Sequence, residues 1–185
     1  SRDRIVVAEA ELSALKLPVS QRLAFRRDLL ERLRAIPGVS GAAGVAIVPV
    51  GGAGWNENVR ADVAKPDRSL ANFNRVSPIY FKVMGTPLVA GRDFDEHDAA
   101  GAPPVAIVTE TYARKLAGGR SPIGRDLAVI RGGGKADSVY RIVGVVGDAK
   151  YTNLREEWSP VVFLAEAQDE EPEVDVQFVI RSDLP

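Results

Sequence analysis

Cysteine is missing from this 185-residue chain, and histidine occurs once, at His97. The first absence excludes disulfide staples, iron–sulfur clusters and thiol catalysis. The second excludes histidine-rich metal sites and any Ser-His-Asp relay that does not use His97. Charge of one sign is lacking too: 24 Lys and Arg stand against 25 Asp and Glu, a net −1. The chain therefore has no electrostatic footprint for nucleic acid or for an anionic membrane surface. No apolar run approaches the roughly 20 residues of a spanning helix. A signal-peptide pattern and an initiator Met are absent as well, so the chain reads as cut from a longer polypeptide. What is present is a globular composition, 45% hydrophobic and 26% charged, sufficient for one ordinary domain or two small subdomains.

Alternation opens the chain. Between Ile5 and Leu12, Val6, Ala8, Ala10 and Leu12 share one face while Glu9 and Glu11 take the other, which predicts a strand. A helix is predicted from Ser20, as N-cap, to Ile36: Leu23, Leu30 and Leu33 form its apolar stripe, flanked by Phe25, Leu29 and Ile36, and Pro37-Gly38 stops it. Asp28 with Arg32, and Arg27 with Glu31, are i,i+4 pairs for its wet face. Gly41 to Val50, small and β-branched, completes a βαβ unit whose two strands should be parallel. Gly51 to Gly54 breaks the pattern and marks a subdomain boundary.

Beyond it, strands are predicted at 58–63, 70–76, 105–108, 127–130, 139–146 and 161–165, and a last one alternates through Val174, Val176, Phe178 and Ile180. Ser77-Pro78 reads as the start of a short helix that buries Tyr80, Phe81 and Met84 and stops at Gly85. A second helix carries Tyr112, Ala113 and Leu116 and ends at Gly118-Gly119. The strand at 139–146 could pair on either side of the boundary. With strands at both ends and short mixed elements between, the fold class is α+β.

Four stretches invite a sharper reading. Gly119 to Asp126 nearly matches a phosphate-binding loop, but Arg125 and Asp126 replace the Lys and Ser/Thr, Pro122 interrupts it and a strand follows. Leu116 to Arg120 resembles the signature of ABC ATPases, yet its glycines close a helix where the signature opens one. Asp93, Asp95, Glu96, His97 and Asp98 lack the Gly and terminal Glu of a calcium loop and read as a structural turn. Trp55 in the Gly-rich loop, with Tyr151 and Trp158 farther on, are candidate partner contacts, since loop aromatics bury area at low entropic cost; the alternative is packing over the core edge. No catalytic, cofactor-binding or metal constellation emerges, so an enzyme is not expected, nor is nucleotide binding by this segment.

The run from Arg75 to Tyr151 reads RVSPIYFKVMGTPLVAGRDFDEHD, then PPVAIVTETYARKLAGGRSPIGRDL, then VYRIVGVVGDAKY. This wording resembles the MacB-like periplasmic core domain of ABC transporter permeases of the FtsX/MacB type, in the subfamily of duplicated orphan permeases. The resemblance implies a porter-like βαβ subdomain, residues 1–50 plus 140–185, carrying an inserted smaller mixed α/β subdomain (Sabre-like), residues 51–139. It implies a non-catalytic domain on the periplasmic side of the bacterial inner membrane, tethered by transmembrane helices and served by a separate ATPase subunit. Its role would be to relay ATP-driven conformational change, of the efflux or mechanotransmission kind, to a periplasmic partner such as an adaptor or lipoprotein, or to a substrate. Family members continue past the last strand with another helix and strand. The alternative is an extracytoplasmic ligand-binding or sensory module with a pocket between the subdomains.

Overall fold

In the computed structural model, residues 4–49, 51, 53–60, 69–117, 120–131, 136–148 and 160–183 are described. The N-terminal alternation forms β1 (Arg4–Ala10); α1 (Val19–Arg34) and β2 (Val39–Val45) follow. Ser20 is not the N-cap of α1, because the helix begins one residue earlier, behind Pro18. Then come β3 (Asn56–Arg60), β4 (Ser69–Val76), α2 (Tyr80–Met84), β5 (Leu88–Gly91), β6 (Val105–Thr109), α3 (Glu110–Ala117), β7 (Asp126–Val129), β8 (Ser138–Val146), β9 (Val161–Ala165) and β10 (Val176–Ser182). Among the described residues β5 is the strand that the pattern did not announce: its four residues are all exposed and it pairs only with β8.

The strands make two arrangements. In the outer sheet, β10 lies between β1 and β2 and is antiparallel to both. The strands of the βαβ unit are therefore parallel, as expected, but a third strand splits them. The other strands close on themselves: β4, β3, β7, β8, β6 and β9 are neighbours in that order, and β9 pairs back onto β4. The parallel pairs in this ring are β6–β8 and β4–β9. Because β8 pairs with β5, β6 and β7, and β9 with β4 and β6, both strands belong to the ring. The expected return near 139–140 thus falls inside β8, and by strand pairing the chain leaves the ring only after Ala165.

Three apolar clusters follow from this topology. The ring is filled by Val59, Phe73, Val108, Leu127, Ile142 and Leu164, with Tyr112 and Ala113 of α3 packed among them. A second cluster lies under α1: Leu30 packs with Ala42, Val176, Phe178 and Ile180. The third joins the outer sheet to the ring, combining Val45 and Val179 with Val76, Ile107, Val146 and Phe163, and α2 wedges Tyr80 and Phe81 into it. Strand β10 is consequently buried on both faces rather than one, Phe178 and Ile180 in one cluster and Val179 in the other.

The joining cluster gathers Ile47, Phe81 and Val143 with residues of both the outer sheet and the ring, whereas Phe73 belongs to the separate cluster inside the ring.

The join between the outer sheet and the ring

Among the described residues, the outer sheet pairs with the ring at one position, Val45 with Val76. Side chains extend the ladder on either side of it. The Ile47 N–H donates to Asn74 Oδ1 (3.0 Å) and Asn74 Nδ2 donates to the Ile47 carbonyl (2.8 Å), so a fully buried amide stands in for the next strand pair. Gly44 N–H donates to Ser77 Oγ (2.8 Å), while Ser77 N–H donates to the Gly44 carbonyl (3.0 Å). That pairing removes Ser77 from the capping role its sequence suggests. Ile79 precedes α2 instead, in the left-handed region at φ 66°, which a β-branched residue seldom adopts.

A buried ion pair fastens the other side of the join. Arg26 Nη1 donates to Glu166 Oε1 at 2.9 Å, with the two side chains 9% and 11% exposed. Arg26 Nη2 donates to the carbonyls of Glu173 (2.6 Å) and Asp175 (3.0 Å). Burial raises the Glu166 carboxyl above its ordinary range, and the Arg26 charge offsets only part of that. Glu166 fits because β2 carries glycine beneath it: a Cβ on Gly44 would stand 2.7 Å from Glu166 Oε2. This arginine was missed by pattern reading, although it occupies position i+3 from Leu23 and i−4 from Leu30, inside the apolar stripe. A charge at such a position is the signal that could have found it.

Trp55 packs over the edge of the ring, its ring centroid 5.1 Å from that of Phe73 and Arg75 stacked 5.1 Å from its centroid. Its Nε1 donates to Glu57 Oε1 at 2.9 Å. Tyr151 and Trp158 lie outside the described residues. The acidic turn is braced mainly by its own residues. Arg92 forks onto Asp98 (2.7 and 2.8 Å), the Asp95 N–H donates to Asp98 Oδ2 (3.0 Å), and Phe94 inserts into the joining core. Asp95 is pulled below its ordinary carboxylate range, first by the His97 backbone N–H, whereas burial raises Asp93. In the stretch like a phosphate-binding loop, Gly124 at φ 80° and the Arg125 N–H to Pro122 carbonyl bond make a turn into β7, with no helix N-terminus among the described residues there to meet a phosphate.

Superposed on the crystal structure of the periplasmic region of MacB from Actinobacillus actinomycetemcomitans, the chain gives a TM-score of 0.61 at 14% identity, covering 97% of this chain and 74% of that one. The extracellular domain of the ABC-type transporter YknZ from Gram-positive bacteria gives 0.58 at 16% identity, covering 91% and 81%. At these identities the likeness is one of fold. No curated protein sequence matches the chain. The family of MacB-like periplasmic core domains matches residues 3–180, and the chain belongs to that family. It is thus an extracytoplasmic part of a MacB/FtsX-like ABC transporter permease, which implies a transmembrane part and an ATPase subunit. Domains of this kind are generally non-catalytic. No helix among the described residues is long and apolar enough to cross a membrane.

Proposed function

We propose that this domain relays ATP-driven conformational change, of the mechanotransmission or efflux type, from the membrane to a periplasmic partner such as an adaptor or lipoprotein, or to a transported substrate. In this reading β1, α1, β2 and β10 form the porter-like subdomain, and residues 56–165 form the inserted Sabre-like one. The observation that carries it is the join. An apolar cluster and the β2–β4 pairing connect the outer sheet to the ring, and a buried ion pair ties α1 to the chain just after β9, so displacement of one part is delivered to the other. Trp55, Tyr151 and Trp158 stay as proposed partner contacts.

The test uses the permease reconstituted with its ATPase and a spin label on the ring at Lys115, measured against a second label in the membrane part. Trapping the ATP-bound state should shift that distance, and an unchanged distance would refute the relay. A second reading, a ligand-binding module, is favoured by a groove of about 390 Å³ at the join, lined by Glu9, Val45, Ile47, Trp55, Arg75 and Gln177 among others. A small-molecule thermal-shift hit that is lost on Arg75→Ala would support this reading over the first.

A further inference from the structure

The apolar cluster that holds α1 contains residues of β1, β2 and β10 and none from the strands of the ring. The cluster that holds the ring to the outer sheet contains no residue of α1. Apolar packing therefore connects α1 to the ring only indirectly, across the thickness of the outer sheet. The direct link is polar. Arg26, near the middle of α1, reaches Glu166, the first residue after β9, and the carbonyls of Glu173 and Asp175 just before β10. Two further bonds fasten the same stretch: Arg22 Nη1 donates to the Pro172 carbonyl (2.9 Å), and the Leu12 N–H donates to Asp175 Oδ1 (2.8 Å).

We infer that Arg26 is a positioning residue that couples α1 to the chain leaving the ring, so that helix and ring are displaced together. This rests on the relay reading above and adds the path by which the relay passes. The side-chain chemistry fits the task. A guanidinium presents its donors in a rigid planar fork, so one side chain can satisfy a carboxylate and two carbonyls at fixed angles; an ammonium cannot. The site is also shaped for the pair, because Gly44 leaves the volume that Glu166 occupies. Buried ion pairs contribute little net stability compared with apolar replacements, and their best-attested role is to set geometry. Removing Arg26 should therefore affect the position of α1 more than the stability of the fold, once the partner charge is removed with it.

The chain contains no cysteine, so spin labels attach only at introduced sites. Exposed Arg27 on α1 and Lys115 on α3 are suitable for substitution by Cys. The distance between these labels should be narrowly distributed in the parent chain. It should broaden or shift in Arg26→Met, and also in Arg26→Met combined with Glu166→Gln, where no uncompensated carboxylate remains to unfold the protein. Arg26→Lys, keeping the pair with Glu166 but not the fork, should lie between. A double variant as narrow as the parent overturns the inference. In the permease with its ATPase, the double variant should keep the ATP-dependent shift of the Arg27 label and reduce that of the Lys115 label, since the joining cluster still packs the outer sheet on the ring. If neither label shifts in the unsubstituted permease, the relay fails, and the first measurement alone decides the coupling.

Discussion

Replacing Leu30 by Ala is the sharpest test of how α1 is seated. Leu30 is 5% exposed and packs on Ala42, Val176, Phe178 and Ile180. The change removes three buried carbons, or about 2.4 kcal/mol at about 0.8 kcal/mol each. A cavity term of about 24 cal/mol per Å³ adds to this. The site lies at the rim of a small cluster, where half-buried Leu29 and Leu33 can close part of the gap. We expect a loss of about 3 kcal/mol. Leu33, on the same stripe, is only half buried; its truncation should cost about 1 kcal/mol, because less of the side chain leaves water and no sealed cavity forms. Sequence periodicity ranks the two residues equally; the structure does not. Urea denaturation at equilibrium measures both, with an unchanged m-value showing that the two-state reference holds. A Leu30→Ala loss below about 1 kcal/mol, or a Leu33→Ala loss as large as that of Leu30→Ala, would refute this seating of the helix.

Three further outcomes are expected. Gly44→Ala should destabilise by about 1–3 kcal/mol, as overpacking does, because its Cβ would meet Glu166 Oε2 at 2.7 Å; combining it with Glu166→Ala should recover part of the loss in a double-mutant cycle, and strict additivity would contradict the contact. Ile79→Gly should be more stable than Ile79→Ala by about 1 kcal/mol, since both lose the side chain but only glycine is relieved of the left-handed conformation; the reverse order by thermal denaturation would mean that φ 66° at Ile79 is not strained. The third outcome concerns pH. Glu166 is raised in the folded state, first by burial, against the Coulombic and hydrogen-bond pull of Arg26 and with Asp169 adding to the rise. Its contribution to stability is then fully present below the unfolded value of about 4.3 and lost as pH rises through the folded value. The stability of the parent chain relative to Glu166→Gln should thus fall from pH 4 upward, and a difference that grows with pH would reverse the assigned sign.

Elements whose cause is local could be read from the chain alone. Strand β1 follows from alternation over Val6 to Leu12, α1 from the spacing of Leu23, Leu30 and Leu33, and α3 from Tyr112, Ala113 and Leu116 before a glycine pair. The acidic turn was legible too, since it fails the spacing of a metal loop and its bonds run among near neighbours, Arg92 with Asp98 and Asp95 with His97. Pairing partners were not legible. Periodicity says that 139–146 and 161–165 are strands, but a strand's neighbours depend on which edges are left open by the rest of the fold, and here ring closure recruits both. For the same reason β10 reads as half-buried and is buried on both faces. Ser77 and Arg26 show the other limit. Locally Ser77 is a helix cap and Arg26 a charge inside an apolar stripe with no visible partner; only the approach of Gly44 and of Glu166, 33 and 140 residues away in the chain, turns one into a strand partner and the other into a buried clamp.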